Sequence, residues 1–333
     1  MSRSKALERL LKMPDNSMRA LITCEVTNEF LSALSARRIT YELTGWGQTG
    51  IFLSEKEIIS KAQECKIVIV EIEKLNKSVI GSLPNLRFVG VSRGTPVNVD
   101  LDFCNEHGIP VVHTPGRNAD SVADYCLSMM LDLSRKLTAS SRHLSSKGWM
   151  FDGKLPYLEF RGRELGKLSI GLFGLGRIGA LVAQRLHAGF GSQVYFFDPF
   201  VKSDIHAKKL NSLDELFGVS DIVSLHAPVT SETKNSVNRA LLRNLGSEGI
   251  LIISARANLS VEEDLYQSLS SGEIASAAID VFWSEPIDSE NRWVKLPNVI
   301  CTPHIAGASL DVISNHCDTI LNGLDKWLSS QTK

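Results

Sequence analysis

Leu168-Ser-Ile-Gly-Leu-Phe-Gly-Leu-Gly-Arg-Ile-Gly179, read with Val194-Tyr-Phe-Phe-Asp198, decides how this chain folds. Leu168 to Phe173 is a short apolar run that stops at Gly174, Gly176 and Gly179. A helical pattern follows over Ala180 to Ala188, and a second apolar run, Val194 to Phe197, ends at Asp198. Strand, glycine turn, helix, strand and acid in that order form the G-x-G-x-x-G fingerprint in its informative context. Gly174 permits the tight turn, Gly176 lets the main chain approach a pyrophosphate, and Gly179 lets helix and strand pack closely. The amides around Arg177 and Ile178 would face the phosphates, backed by the positive end of the helix dipole. Asp198 would accept from the adenosine ribose diol. It would repel a 2′-phosphate, and neither Pro199 nor Phe200 offers a cation, so NAD is the expected cofactor.

The rest of the chain is unexceptional: 333 residues, 43% hydrophobic, 22% charged and a formal net charge of −1. That length exceeds a single core, so two domains are expected. Near-neutral charge gives no reason to expect nucleic acid or an anionic membrane as partner. No run approaches the roughly 18 apolar residues of a membrane span. Met1 to Pro14, with Leu7, Leu10 and Leu11, reads as a frayed leader without a cleavage pattern. Cys24, Cys65, Cys104, Cys126, Cys301 and Cys317 are scattered, with no C-x-x-C pair. They read as free thiols in a reducing compartment, hence the cytoplasm, and no metal site is expected.

Upstream of the fingerprint, strands are expected at Ala20 to Cys24, Ile39 to Leu43, Ile67 to Ile72, Arg87 to Val91 and Pro110 to His113. Helices are expected at Glu29 to Ala36, Glu55 to Ala62 and near Leu101 to Glu106. Repeated β-α-β units argue for a parallel sheet covered on both faces. Gly45 to Gly50 breaks the pattern and reads as a mobile surface loop. Asn118 is placed to cap a long helix whose apolar face is Val122, Cys126, Met129, Leu133 and Leu137. After the fingerprint come strands at Ile222 to Leu225, Ile250 to Ser254, Ala275 to Val281 and Val299 to Thr302. The amphipathic tail from Ser309 to Leu328 should dock on the first domain. The fold class is α/β, with two doubly wound parallel sheets: a flavodoxin-like domain, 1–115 completed by 306–333, and a Rossmann domain, 116–305.

Ligands of such sheets bind at the carboxyl ends of the strands. Arg256 follows the Ile250 strand, with Ala255 before it lining the cofactor. Glu285 follows the Ala275 strand, and His304 the Val299 strand. Arg256 alone reads equally as a surface cation, Glu285 as a solvated turn residue and His304 as a packed core histidine. Beside a dinucleotide the three supply what hydride transfer to a keto acid needs. Arg256 would grip a carboxylate with its planar fork. His304 would exchange the hydroxyl proton, and Glu285 would orient the imidazole and raise its pKa.

At these residues the sequence resembles the D-isomer-specific 2-hydroxyacid dehydrogenases, phosphoglycerate dehydrogenase among them. The carrying motifs are Val97-Asn-Val-Asp100, Gly108 to Gly116, Gly174 to Gly179, Val223-Ser-Leu-His-Ala-Pro228, Leu251 to Arg256, Ala278 to Phe282 with Glu285-Pro286, and Thr302 to Gly307. The resemblance implies Arg256, Glu285 and His304 as catalytic residues and Asp280 as a partner of the nicotinamide carboxamide. It also implies that His226, Ala227 and Pro228 line the adenosine side. The loop Ser92, Arg93, Gly94 and Thr95 would hold the substrate carboxylate with its amides. It further implies a cleft that closes on binding, a small 2-hydroxy or 2-keto acid as substrate, and a homodimer involving the helix after Asn118. Phosphoglycerate, hydroxypyruvate and glyoxylate types of substrate all fit. Ala257 stands where the family usually has glycine, and Arg93 reads either as a seat for a second anionic group or as a solvated cation. Glu285 stands where the formate-oxidising branch carries glutamine, which argues against formate. The rival reading is an NAD(H)-sensing, corepressor-like scaffold of the same fold.

Overall fold

Isoleucine and valine dominate the strands upstream of the fingerprint, and each pairs in parallel with its neighbour. The computed structural model describes residues 18–331, so the leader Met1 to Pro14 lies outside the described residues. The strands are β1 (Met18–Ile22), β2 (Ile39–Leu43), β3 (Ile67–Val70), β4 (Phe88–Val91) and β5 (Val111–His113), in the order β2-β1-β3-β4-β5. That is the flavodoxin-like order. All residues of β3 and β4 are buried, as central parallel strands covered on both faces must be. Local signals set the helix starts: Ser54 and Glu57 form a reciprocal capping box, and Asp100 caps Leu101–Glu106.

This unit comprises the chain up to Arg117 together with Ser309 onward. The last helix, Leu310–Ser330, packs Cys317, Ile320 and Leu324 against Ala20, Ile22, Phe30 and Leu34, as its amphipathic pattern predicts. Arg37 fastens it through two 2.6 Å bonds to Asp325. Gly45 to Gly50 departs from the expected mobile loop. Trp46–Thr49 is a helical turn seated on the backbone after β1, where a Cβ on Gly47 would lie 2.2 Å from Cys24 C and Glu25 N. Buried Glu73 accepts from Trp46 N at 3.2 Å and Thr23 Oγ1 at 2.7 Å, pinning the turn.

The second unit, Asn118–Ala308, holds β6 (Ser169–Phe173), β7 (Gln193–Phe197), β8 (Lys208–Lys209), β9 (Ile222–Leu225), β10 (Ile250–Ile253), β11 (Ser276–Ile279) and β12 (Val299–Cys301). Their order is β12-β11-β10-β9-β6-β7-β8, all parallel. Direction of winding reverses between β6 and β9, the Rossmann switch point. Asn118 occupies the N-cap of the helix Ala119–Arg135 without a side-chain capping bond. The helix buries Val122, Cys126 and Met130, then breaks at Lys136, whose φ is 55°. Leu137 therefore starts a second helix, Leu137–Lys147, and is 54% exposed rather than part of the expected apolar face. Among the described residues no helix is long and apolar enough to cross a membrane, and no group of His, Cys, Asp or Glu is placed to hold a metal ion.

Candidate active site

The glycine turn between β6 and the helix Arg177–Phe190 shows a separate steric reason for each glycine. Gly174 has φ +95°, and a Cβ there would lie 2.7 Å from Ala227 N. A Cβ on Gly179 would lie 2.4 Å from the Gly174 carbonyl oxygen. Gly176 is the opposite case: a Cβ there would meet nothing within 4 Å. Open space lies beside its main chain, at the start of a 14-residue helix. Ala227 is buried against this turn, Pro228 is exposed and Ile178 half-buried. The His226 Nε2 atom is buried without a hydrogen-bond partner among the described residues. Burial alone drives its pKa down to about 4, so the ring is neutral. A cradle with open space, helix amides and an unpaired buried ring nitrogen fits a dinucleotide.

Asp198, at the end of β7, is already engaged. Its Oδ2 accepts from Leu175 N at 2.9 Å, and its Oδ1 from Phe200 N and Val201 N at 2.8 and 3.1 Å. Burial pushes this carboxyl up, but the three backbone donors outweigh it and hold the pKa below the usual carboxylate value. The acid thus braces the glycine turn with a fixed negative charge.

Beyond the carboxyl ends of β10, β11 and β12 stand Arg256, Glu285 and His304. Glu285 Oε1 accepts from Phe282 N at 2.8 Å, and Glu285 Oε2 meets His304 Nδ1 at 2.8 Å. A carboxylate only accepts, so Nδ1 carries the hydrogen and Nε2 is left to exchange a proton outward. Burial raises the Glu285 pKa, but the bonds from His304 and Phe282 N and the charges of His304 and Arg256 together hold it low. Arg256 is exposed, with Nη1 2.7 Å from the Ala255 carbonyl oxygen. Ala257 is buried and begins a short 3-10 turn, so the methyl group in place of glycine is accommodated.

Asp280, the residue the resemblance pairs with a carboxamide, carries a set of internal bonds. It is 0% exposed, and its carboxylate accepts from Thr302 Oγ1 at 2.6 Å, Ile305 N at 2.8 Å and Ala306 N at 2.8 Å. It organises the loop around His304, and Oδ2, with one donor, keeps a lone pair. His304 needs that support: its φ of 56° costs a non-glycine residue ~1–2 kcal/mol.

In the first unit, Ser92 is buried under β4 while Gly94 and Thr95 are exposed. The loop's carbonyls are tied back: Arg93 O accepts from Thr114 N at 2.9 Å, and Gly94 O from His113 Nδ1 at 2.8 Å. Among the described residues nothing accepts from the amides of Arg93, Gly94 and Thr95, and nothing pairs with the Arg93 guanidinium. Successive free amides form an anion seat.

The family model for the NAD-binding domain of D-isomer specific 2-hydroxyacid dehydrogenases matches residues 127–306. This chain belongs to that family. YoaD of Bacillus subtilis (strain 168), named for 2-hydroxyacid dehydrogenases, is 34% identical over 319 residues, covering 95% of this chain and 92% of YoaD. The TT0316 protein of Thermus thermophilus superposes with a TM-score of 0.81 at 30% identity, covering 94% of this chain and 97% of its own. The NADPH-dependent glyoxylate/hydroxypyruvate reductase of Sinorhizobium meliloti, in complex with NADP and malonate, gives 0.73 at 26% identity, with 94% of each chain covered. As a D-2-hydroxyacid dehydrogenase, the protein is an NAD(P)-dependent oxidoreductase with a Rossmann domain.

One contact of this dehydrogenase that frames the site escaped the sequence. Tyr125, on the helix Ala119–Arg135, meets Thr302 Oγ1 at 2.7 Å. Their separation of 177 residues leaves no local signal. A cavity of about 560 Å³ opens elsewhere, lined by Leu168, Ile250, Ser276 and Asn298 at the amino-terminal ends of the strands. Strand polarity, rather than cavity size, marks the chemical end of the sheet.

Proposed function

We propose that the protein reduces small 2-keto acids to D-2-hydroxy acids with NADH, and runs the reverse reaction with NAD. The hydrogen-bonded pair His304–Glu285 carries this reading. When bound, the nicotinamide supplies or accepts the hydride at the substrate's second carbon. Arg256 holds the substrate carboxylate through its planar fork. In reduction His304 Nε2 gives its proton to the former carbonyl oxygen; in oxidation neutral Nε2 takes the hydroxyl proton. Glu285 keeps the imidazole aimed by holding Nδ1. Ser92, Arg93, Gly94 and Thr95 are assigned to substrate, the last three through their free amides.

The cofactor seat is assigned to Gly174, Gly176, Arg177, Ile178, Gly179, Asp198, His226, Ala227, Pro228 and Ala255. NAD is preferred because the fixed Asp198 charge opposes a 2′-phosphate. The unpaired Arg93 guanidinium favours acids with a second polar or anionic group, such as hydroxypyruvate or a phosphorylated hydroxy acid. Exposed Leu144, Trp149, Leu155 and Leu158, beyond the long helix, support a homodimer. Six free cysteines, five of them buried, support a cytoplasmic setting. The test is kcat/KM for glyoxylate, hydroxypyruvate, pyruvate and phosphohydroxypyruvate, each with NADH and NADPH. No turnover of any would leave the reading without its enzyme.

A further inference from the structure

The loop that carries His304 is held from both sides by one carboxylate. Asp280 accepts from Thr302, two residues before the histidine, and from Ile305 N and Ala306 N immediately after it. Both oxygens act as acceptors, so the single hydroxyl proton of Thr302 points to Asp280 Oδ1. Thr302 Oγ1 therefore has only a lone pair for the Tyr125 hydroxyl at 2.7 Å, and Tyr125 must be the donor. Burial pushes the Tyr125 phenol far above its ordinary range, which keeps the proton on oxygen. The direction is fixed along the whole chain: Tyr125 to Thr302, Thr302 to Asp280, and Asp280 closing the loop over the far side of His304. His304 N also donates to Thr302 O at 2.9 Å, so a shift of Thr302 moves the histidine backbone directly.

We propose that Tyr125 and Thr302 are positioning residues that act through Asp280 to hold the His304 loop in its left-handed conformation, and so keep Nδ1 of His304 on Glu285. The inference rests on the reading of His304 as proton donor. Neither positioning residue touches substrate; both act on the geometry of a group that does.

The test compares Thr302→Val, Thr302→Ser and Tyr125→Phe with wild type, using NADH and an accepted keto acid. Thr302→Val should lower kcat by ~10–100-fold, the range for lost outer-shell support, and Tyr125→Phe by the lower part of it. Cofactor Kd and keto-acid KM should stay within about threefold of wild type, because only the proton-transfer geometry is disturbed. Thr302→Ser restores the hydroxyl and should restore kcat. In a Glu285→Gln background the Thr302→Val loss should shrink, because residues acting as one unit are not additive. Wild-type kcat in both Thr302→Val and Tyr125→Phe overturns the inference, as does a fully multiplicative loss with Glu285→Gln. Should Thr302→Val fail to fold, the nearly isosteric Tyr125→Phe decides alone, with or without Glu285→Gln. His304→Ala separates the two layers. Wild-type kcat there removes the proton-donor reading itself. Collapse there with unchanged positioning variants removes only the inference.

Discussion

Gly176 and Gly179, one helical turn apart, should fail in opposite ways when given a methyl group. Gly176→Ala adds a Cβ to open space at an ordinary φ of −71°, so the fold loses little. Alanine is a poorer N-cap than glycine by up to about 1 kcal/mol. In a unit of this size that lowers Tm by roughly 2–4 °C at most. The same methyl fills the space through which a pyrophosphate approaches the helix amides. Losing even one such contact, about 1.4 kcal/mol, weakens the cofactor Kd tenfold. Gly179→Ala instead drives a Cβ to 2.4 Å from the Gly174 carbonyl oxygen, a backbone atom that cannot swing aside. Such overpacking costs ~1–3 kcal/mol, a Tm loss of roughly 2–12 °C. Thermal melts without cofactor and NADH fluorescence titrations measure both quantities. A Gly176→Ala protein that binds NADH like wild type would refute the placement of the pyrophosphate, and one that melts below Gly179→Ala would refute the steric argument.

Asp198→Ala should narrow the preference for NADH over NADPH in kcat/KM and also lower Tm, since three backbone donors lose their acceptor; unchanged selectivity would remove its role in cofactor choice. Arg256→Lys keeps the charge but loses the planar fork, so keto-acid KM should rise and kcat fall together; steady-state kinetics with both parameters unmoved would contradict the clamp. In Glu285→Gln a neutral amide replaces the charged acceptor on His304 Nδ1, so kcat for keto-acid reduction should fall with keto-acid KM little changed. An unmoved kcat would leave Glu285 a turn residue only. Glu273 tests linkage away from the site: hydrogen bonding from Arg239, against a smaller opposing effect of burial and with help from Ser268 and Arg243, lowers its pKa to about 2 from the usual 4.5. Its stabilising contribution is complete above the usual value and is lost as pH falls through the folded one. Urea melts of Glu273→Gln should therefore show a flatter acid decline than wild type between about pH 4.5 and 2.

Chemistry that depends on local order was legible in the sequence. The Ile39–Leu43 and Ile222–Leu225 strands sit where the alternation of apolar runs and turn residues places them. The glycine turn was readable because its requirements fall within six residues of chain. Features set by distant contacts were not readable. Lys136 adopts a left-handed conformation without the glycine or asparagine that would announce a break, so one apolar stripe became two helices. The helix Lys77–Gly81 is short and capped by Asn76, too brief for periodicity to show. Gly45 to Gly50 looked mobile because its anchor, Glu73, lies outside the segment. Asp280 has a familiar place in its motif, yet its hydrogen bonds, set by tertiary folding, give it a structural task.

The docking of Leu310–Ser330 on the first sheet has a consequence for synthesis. Phe30 and Leu324 share one core, yet about 290 residues separate them in the chain. At ~5–20 residues per second, a ribosome needs roughly 15–60 s to cover that distance. Throughout that interval Ala20, Ile22 and Phe30 wait on the nascent chain with one apolar face uncovered. The continuous second unit can finish first. The half of the molecule translated earliest is therefore the last to close, and its apolar face stays open to water until the final helix arrives.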